Sequence, residues 1–212
     1  MINQVLPLSD TRSRLVRTAM QLFWEKGYNS TSIADVLQTA KVNSGSLYYF
    51  FPSKNDLLAA VLDLYHDGIR TMLLEPAWAG VDDSIERIFA LLARYRKSLL
   101  DTECSYGCPI GSLALELHEP DLAVRQRLAK NFSAWIGAIE ECLLEAKARL
   151  PADLNRRELS QFVLTTMEGG VMQARTFRDI QYFDAAVRQL REYFNRLLKA
   201  ETKKPRGEKN HA

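Results

Sequence analysis

Cysteine is scarce: Cys104, Cys108 and Cys142 are the only three in 212 residues, so no fully paired disulfide framework staples this chain, and at this length a hydrophobic core suffices. Histidine is equally sparse. His66, His118 and His211 lie far apart, no His-Glu-x-x-His occurs, and Cys104 and Cys108 lack a second pair to complete a zinc site, so neither a metal nor another cofactor is expected. The chain also lacks strand-like alternation, internal repeats and a glycine-rich phosphate loop, which leaves an all-α architecture. No leader-like apolar run and no stretch of membrane-spanning length is present; the expected compartment is cytoplasmic, with no membrane partner. Charge of one sign is missing too. Lys and Arg number 28 against 26 Asp and Glu, a net charge of +2 that excludes a coat on nucleic acid and suits a local contact by one small part of the surface.

What is present centres on residues 30–54. Ser32 followed by Asp35 forms a capping-box-like start, and Ile33, Val36 and Leu37 then share one helical face. Residues 40–44 make a tight turn in which Val42 faces the core and Asn43 tolerates turn dihedrals. A second short helix is expected from Ser44 or Gly45 with serine as its N-cap, its small first residues leaving amide donors open to an anion. Two such helices form a helix-turn-helix, whose second helix enters a DNA major groove. Ser44, Gly45 and Ser46 permit close approach, Tyr48 and Tyr49 carry hydroxyls outward, and Leu47 and Phe50 return to the core. Ser53, Lys54 and Asp56 open a third helix behind Pro52, placing Lys54 at a helix N-terminus suited to phosphate.

Residues 10–65 resemble the DNA-binding domain of TetR-type transcriptional repressors. The resemblance rests on Phe23, Gly27 and Tyr28, then Thr31 to Val36, then Val42, Gly45, Ser46, Leu47, Tyr48, Tyr49, Phe50, Ser53, Lys54 and Leu57. Asn43-Ser44 departs from the Ser-Lys of many relatives, so a lysine expected near position 44 is missing. The resemblance implies a three-helix DNA-binding head over 10–70, with the helix-turn-helix at 31–50, on a larger helical ligand-binding and dimerisation body over 71–200. It also implies Thr31, Ser32, Asn43, Ser44, Gly45, Ser46, Tyr48, Tyr49 and Lys54 as DNA-contacting residues. The expected partners are double-stranded operator DNA, a second copy of the chain through the last two helices, and a small-molecule inducer.

Outside that stretch, residues 1–9 read as a frayed arm, and Leu15, Ala19, Leu22 and Phe23 place an amphipathic helix over 12–26. Arg12, Arg14 and Arg17 near its start are either a solvated face or phosphate contacts. A long helix over 53–74 links head to body, and residues 75–81 read as a loop or a shifted helix start. Further helices are expected over 83–100, 109–117, 122–150, 156–178 and 183–199, followed by a disordered basic tail at 201–212. The Gly169-Gly170 pair points to close helix approach.

Candidate inducer-lining residues are Tyr95, Tyr106, Leu113, Phe132, Trp135, Met167, Met172 and Phe177, which offer aromatic faces and adaptable thioethers. Residues 107–116 resemble a Gly-Cys-x-x-Gly-x-Leu-x-x-Glu element of one branch of the family, some of whose members sense electrophiles or small acids. Pro109 at the first helical position puts Cys108 at an N-cap, where the helix macrodipole would favour the thiolate. A redox or electrophile sensor using Cys108, with Cys104 as resolving partner, is therefore the alternative to a ligand-responsive repressor. A non-DNA-binding helical enzyme built on Cys108, His118 and Asp121, or a helical adaptor, is a further alternative, but neither needs the Tyr48-Tyr49 and Lys54 pattern. The expectation is a regulator and not an enzyme.

Overall fold

The computed structural model describes residues 11–202, the last four by backbone alone, and every regular element among them is helical. The expected arm at 1–9 and nearly all of the basic tail lie outside the described residues. In chain order the α-helices are α1 (Thr11–Lys26), α2 (Ile33–Ala40), α3 (Ser44–Phe50), α4 (Lys54–Ile69), α5 (Glu75–Trp78), α6 (Ser84–Asp101), α7 (Pro109–Glu116), α8 (Leu122–Glu145), α9 (Arg156–Phe177) and α10 (Gln181–Thr202).

Their starts follow from short polar side chains. Ser32 and Ser53 form reciprocal capping boxes with Asp35 and Asp56, Asp83 accepts from Ile85 and Glu86, and Asp121 accepts from Val124. Two boundaries differ from expectation. The helical run does not stop before residue 75: α4 ends at Ile69, and a π-turn at Arg70–Leu74 carries the chain into α5, with the Glu75 N–H bonded to the Arg70 carbonyl. Pro76 offers no N–H, and the wider turn spans the register it interrupts. α8 ends at Glu145 and tightens into a 3-10 turn at Lys147–Arg149 before Pro151.

The helices bury two apolar cores. One holds Leu15, Ala19, Phe23, Leu47, Leu57 and Leu62 of the head together with Ile110, Leu113, Val124 and Leu128 of α7 and α8. The other lies among α6, α8, α9 and α10, around Ile88, Leu92, Ile139, Met167, Phe183 and Phe194. The split at residue 70 is thus a boundary of chain, not of packing, because the head core draws on residues 108–128. α4 and α8 lie side by side through this region. The Asn131 amide donates to the Leu62 carbonyl at 3.0 Å, and the Arg127 guanidinium meets the Asp63 carboxylate at 3.0 Å.

At Gly170, α9 meets α10 closely: a Cβ there would stand 3.1 Å from the Phe183 ring. A Cβ on Gly169 would meet no other part of the chain within 4 Å. Only one of the pair serves the internal contact.

Leu62 is fully buried at the meeting of α4 and α8. Leu62→Ala is expected to lower the unfolding free energy by about 2–5 kcal/mol, seen as a lower urea midpoint at unchanged slope.

Candidate DNA-binding head and its junction with the body

α2 and α3 are joined by Lys41, Val42 and Asn43. Lys41 takes a left-handed conformation with φ 53°, and its N–H and that of Val42 close the end of α2 on Gln38 and Leu37. α3 begins at Ser44, but its N-cap is Asn43 and not serine: the Asn43 Oδ1 accepts from the Ser46 N–H at 2.8 Å. Asparagine reaches the third amide of the helix as serine would, and Ser44 falls inside it. Leu47 is fully buried, and the opposite face stands in solvent, with Tyr48 53% and Tyr49 82% exposed. Asn43, Ser44 and Gly45 are exposed beside them, and Ser46 is half-buried.

Two expected contact residues are placed otherwise. Thr31 is completely buried, and its hydroxyl donates to the Gly27 carbonyl at 2.7 Å, so it braces the α1–α2 turn and presents nothing to DNA. Lys54 begins α4 as expected, but its ammonium donates to the Tyr28 carbonyl and lies 4.1 Å from the Tyr28 ring centre. Ser32 is exposed with its hydroxyl engaged by Asp35 at 2.7 Å. Lys41 was missed by sequence reasoning. It stands exposed between the two helices of the motif, three residues before the position where a lysine is absent. Arg12 packs over the Phe51 ring at 5.4 Å.

The seam between the cores is the second place where functional groups gather. Tyr95 of α6 packs against both cores; Leu113 and the half-buried Phe132 belong to the head side, Trp135 and Met167 to the body side. Around Tyr95 lie Cys108, Trp135 and Glu168. Burial holds the Tyr95 hydroxyl well above its ordinary range, with the Cys108 and Glu168 charges adding to the effect. Burial likewise raises the Glu168 carboxyl, opposed by a hydrogen bond from Cys108. Glu168 Oε1 and the Tyr65 hydroxyl are buried without a hydrogen-bond partner. A buried carboxyl oxygen and a buried phenol left unpaired are costly in a folded protein, and such groups mark candidate sites. Tyr65 and Glu168 carried no sequence signal, because neither belongs to a spaced motif.

Three expected lining residues leave the seam. Tyr106 packs on Trp24 of α1, ring centres 4.9 Å apart. Met172 and Phe177 are about half exposed on the outer face of α9, where Phe177 stacks on Tyr182 at 4.1 Å. Their side-chain chemistry marks them with Met167 as lining candidates, but Met167 is fully buried and they project into solvent. Elsewhere on the same two helices, Phe162 and Tyr193 border a surface depression of 360 Å³ lined from α9 and α10. A second groove, of 530 Å³, runs between α1 and α4 past Arg12, Asp63 and Lys130.

The sensor reading of Cys108 is also corrected. Cys108 does hold the N-cap of α7, but it is buried, and burial first and the Glu168 carboxylate second push its thiol well above the ordinary range; the Gly111 and Ile110 amides act weakly the other way. Cys104 is buried and raised as well, again chiefly by burial, and all three cysteines are free thiols. A thiolate nucleophile needs the opposite environment. Among the described residues no cluster of His, Cys, Asp or Glu has the arrangement to hold a metal, and no helix is long and apolar enough to cross a membrane.

A capped two-helix motif with an exposed aromatic face, set on a helical body, defines the class: a helix-turn-helix DNA-binding regulator. Residues 15–61 match the family model of bacterial regulatory proteins of the tetR family, and residues 84–189 match the C-terminal domain of LmrA/YxaF-like transcriptional regulators. The chain belongs to the TetR family of transcriptional regulators. It is 31% identical over 186 residues to an uncharacterized HTH-type transcriptional regulator of Mycobacterium tuberculosis, covering 85% of this chain and 92% of that one. It is 25% identical to the HTH-type transcriptional repressor DhaR of Mycobacterium sp. GP1, over 82% of this chain and 86% of the relative. Among solved structures, the reduced form of NemR from Escherichia coli superposes with a TM-score of 0.75 at 24% identity, over 86% of this chain and 96% of that one.

Two outcomes follow from these buried groups. The folded protein holds the Glu168 proton more tightly than the unfolded chain does, so stability is lost as pH rises through the ordinary carboxyl range toward the folded value. Glu168→Gln is expected to melt above wild type near neutral pH, the gap closing as pH falls below the ordinary carboxyl range in thermal scans across pH. Native Cys142, pushed up to about 11 chiefly by burial, is expected to be alkylated by iodoacetamide roughly 100-fold more slowly near neutral pH than in the denatured chain, measured by mass spectrometry.

Proposed function

We propose that this chain is a ligand-responsive repressor that binds a palindromic operator as a homodimer and releases it when a small molecule enters the seam between its two cores. The observation that carries the DNA-binding part is the α3 surface: a seven-residue helix leaves Tyr49 82% and Tyr48 53% in solvent beside exposed Asn43, Ser44 and Gly45. Large aromatic side chains on the outer face of a recognition helix serve groove contact, not the core. Ser46, Tyr48 and Tyr49 reach bases and backbone, Ser32 and Lys41 flank the phosphates, and Lys54 acts by holding the turn at Tyr28.

Two heads must meet successive major grooves about 34 Å apart, so a second copy is needed. The outer face of α9 and α10, with Phe162, Met172, Phe177 and Tyr193 exposed and Gly169 open, supports their use as a four-helix dimer interface. The inducer is an apolar or aromatic compound carrying a polar group that pairs with the Glu168 carboxyl and the Tyr65 hydroxyl. It lifts repression by binding more tightly to a state whose head spacing does not match the operator.

Fluorescence anisotropy with duplexes from the chain's own upstream region tests this reading. Salt-sensitive binding is expected, weakened roughly 5- to 150-fold by Tyr48→Ala or Tyr49→Ala, while Lys41→Ala lowers the salt slope by about 0.9. Phe162→Asp with Tyr193→Asp is expected to convert a dimer to monomer in light scattering. A wild type that is monomeric at micromolar concentration, or that shows no salt-sensitive DNA binding, overturns the reading.

A further inference from the structure

The Gly-Cys-x-x-Gly-x-Leu-x-x-Glu element lies between the head and α9 and touches both. On the head side, the Trp24 indole N–H donates to the Gly107 carbonyl at 2.8 Å. At the other end, the Glu116 carboxylate accepts the Tyr28 N–H at 2.9 Å and the Asn29 N–H at 2.7 Å. On the body side, the Arg175 guanidinium donates to the Ser105 carbonyl at 3.3 Å and the Ser112 hydroxyl at 3.0 Å. The element sits so close to α9 that a Cβ on Gly107 would stand 2.7 Å from Val171, and one on Gly111 would stand 2.2 Å from the Glu168 carboxylate. Leu113 and Cys108 are buried in the head core. Each fixed position of the element thus has a separate contact, and only Glu116 grips backbone of the DNA-binding head.

The place it grips has a physical reason to hold an anion. Gly27 ends α1 with φ 88°, and after this left-handed residue the Tyr28 and Asn29 amides both point at one site. Successive N–H groups in that geometry form an anion-binding concavity. Glu116 fills it so closely that a Cβ on Gly27 would stand 3.0 Å from both carboxylate oxygens. From the opposite side, Lys54 of α4 bonds the Tyr28 carbonyl, and the Thr31 N–H bonds the same oxygen at 3.2 Å. The gripped turn leads within three residues to Ser32, the cap of α2. The segment that sets the direction of the helix-turn-helix is therefore clamped between a carboxylate from the body and an ammonium from the link helix.

We infer that Glu116 is a positioning residue for operator binding: its carboxylate, seated on the Tyr28 and Asn29 amides, fixes the angle of the helix-turn-helix on the body and ties that angle to α9 through the rigid α7. This rests on the reading of the chain as an operator-binding regulator. α7 is a single two-turn helix whose first turn lies against Glu168 and whose last residue is Glu116, so a displacement at the seam moves the clamp. The device needs no contact between Glu116 and DNA.

The test compares full-length wild type, Glu116→Gln and Glu116→Ala for binding to a duplex from the chain's own upstream region and to a scrambled duplex. Hydrogen exchange at Tyr28 and Asn29 and the thermal midpoint are measured alongside. Expected are faster exchange at those two amides, operator affinity reduced about tenfold in Glu116→Ala and less in Glu116→Gln, and an unchanged salt slope, since no phosphate contact is lost. Affinity for the scrambled duplex and the thermal midpoint should stay near wild type. Operator affinity within twofold of wild type in both variants overturns the inference, as does a loss shared equally by the scrambled duplex. If Glu116→Ala does not fold, Glu116→Gln is read together with Trp24→Phe, which removes the bond to Gly107 and trims the ring contact with Tyr106; wild-type operator affinity in both overturns it. A wild type that binds no operator fails the earlier reading instead, and its amide exchange in Glu116→Gln still reports whether the clamp exists.

Discussion

The docking of α7 and the first half of α8 into the head core is the constraint on which the rest depends. α1, α2 and α3 contribute 16, 8 and 7 residues, too little to bury a self-sufficient core. Ile110, Leu113, Val124 and Leu128 complete it, and α4 runs through it into the body. The head is consequently not a bead on a linker. The apolar contacts that hold it together are shared with α7 and α8 of the body.

Polar groups at the seam are decided by magnitudes. The helix N-terminus at Cys108 contributes about 0.3–1 kcal/mol to an anion, whereas burying a charge costs several kcal/mol. Burial wins, and the thiol stays protonated. Glu168 is subject to the same cost with one oxygen unpaired, so the seam carries a built-in deficit. The surface ion pairs are of lesser weight. Arg96 with Asp184 and Arg191 with Glu86 tie α6 to α10, but each is partly solvated and such pairs contribute about 0–1 kcal/mol.

α9 has three faces with three uses. Met167, Val171 and Ala174 fill the body core, Glu168 and Arg175 meet α7, and Phe162, Met172 and Phe177 face outward. A helix apolar on more than one side is the expected form for an element that serves both a core and a partner. Gly170 permits the internal approach of α10, and Gly169, its neighbour, is left for the outer surface.

The sequence by itself determined what local rules govern. Capping residues Ser32, Ser53, Asp83 and Cys108 with Pro109 set the helix starts, apolar periodicity set the buried stripes, and the spaced pattern from Phe23 to Leu57 carried the family. These signals lie within a few residues of the feature they specify. The tertiary structure alone decided which groups meet across the chain: that Thr31 is enclosed, that Lys54 turns to Tyr28, that Met172 and Phe177 face out, and that Glu116 holds two amides 88 and 87 residues away. Rotation of a helix about its axis and the approach of distant segments arise from the joint packing of several helices. No window of sequence contains that information, because burial, not helix position, sets what Cys108 and Glu168 do.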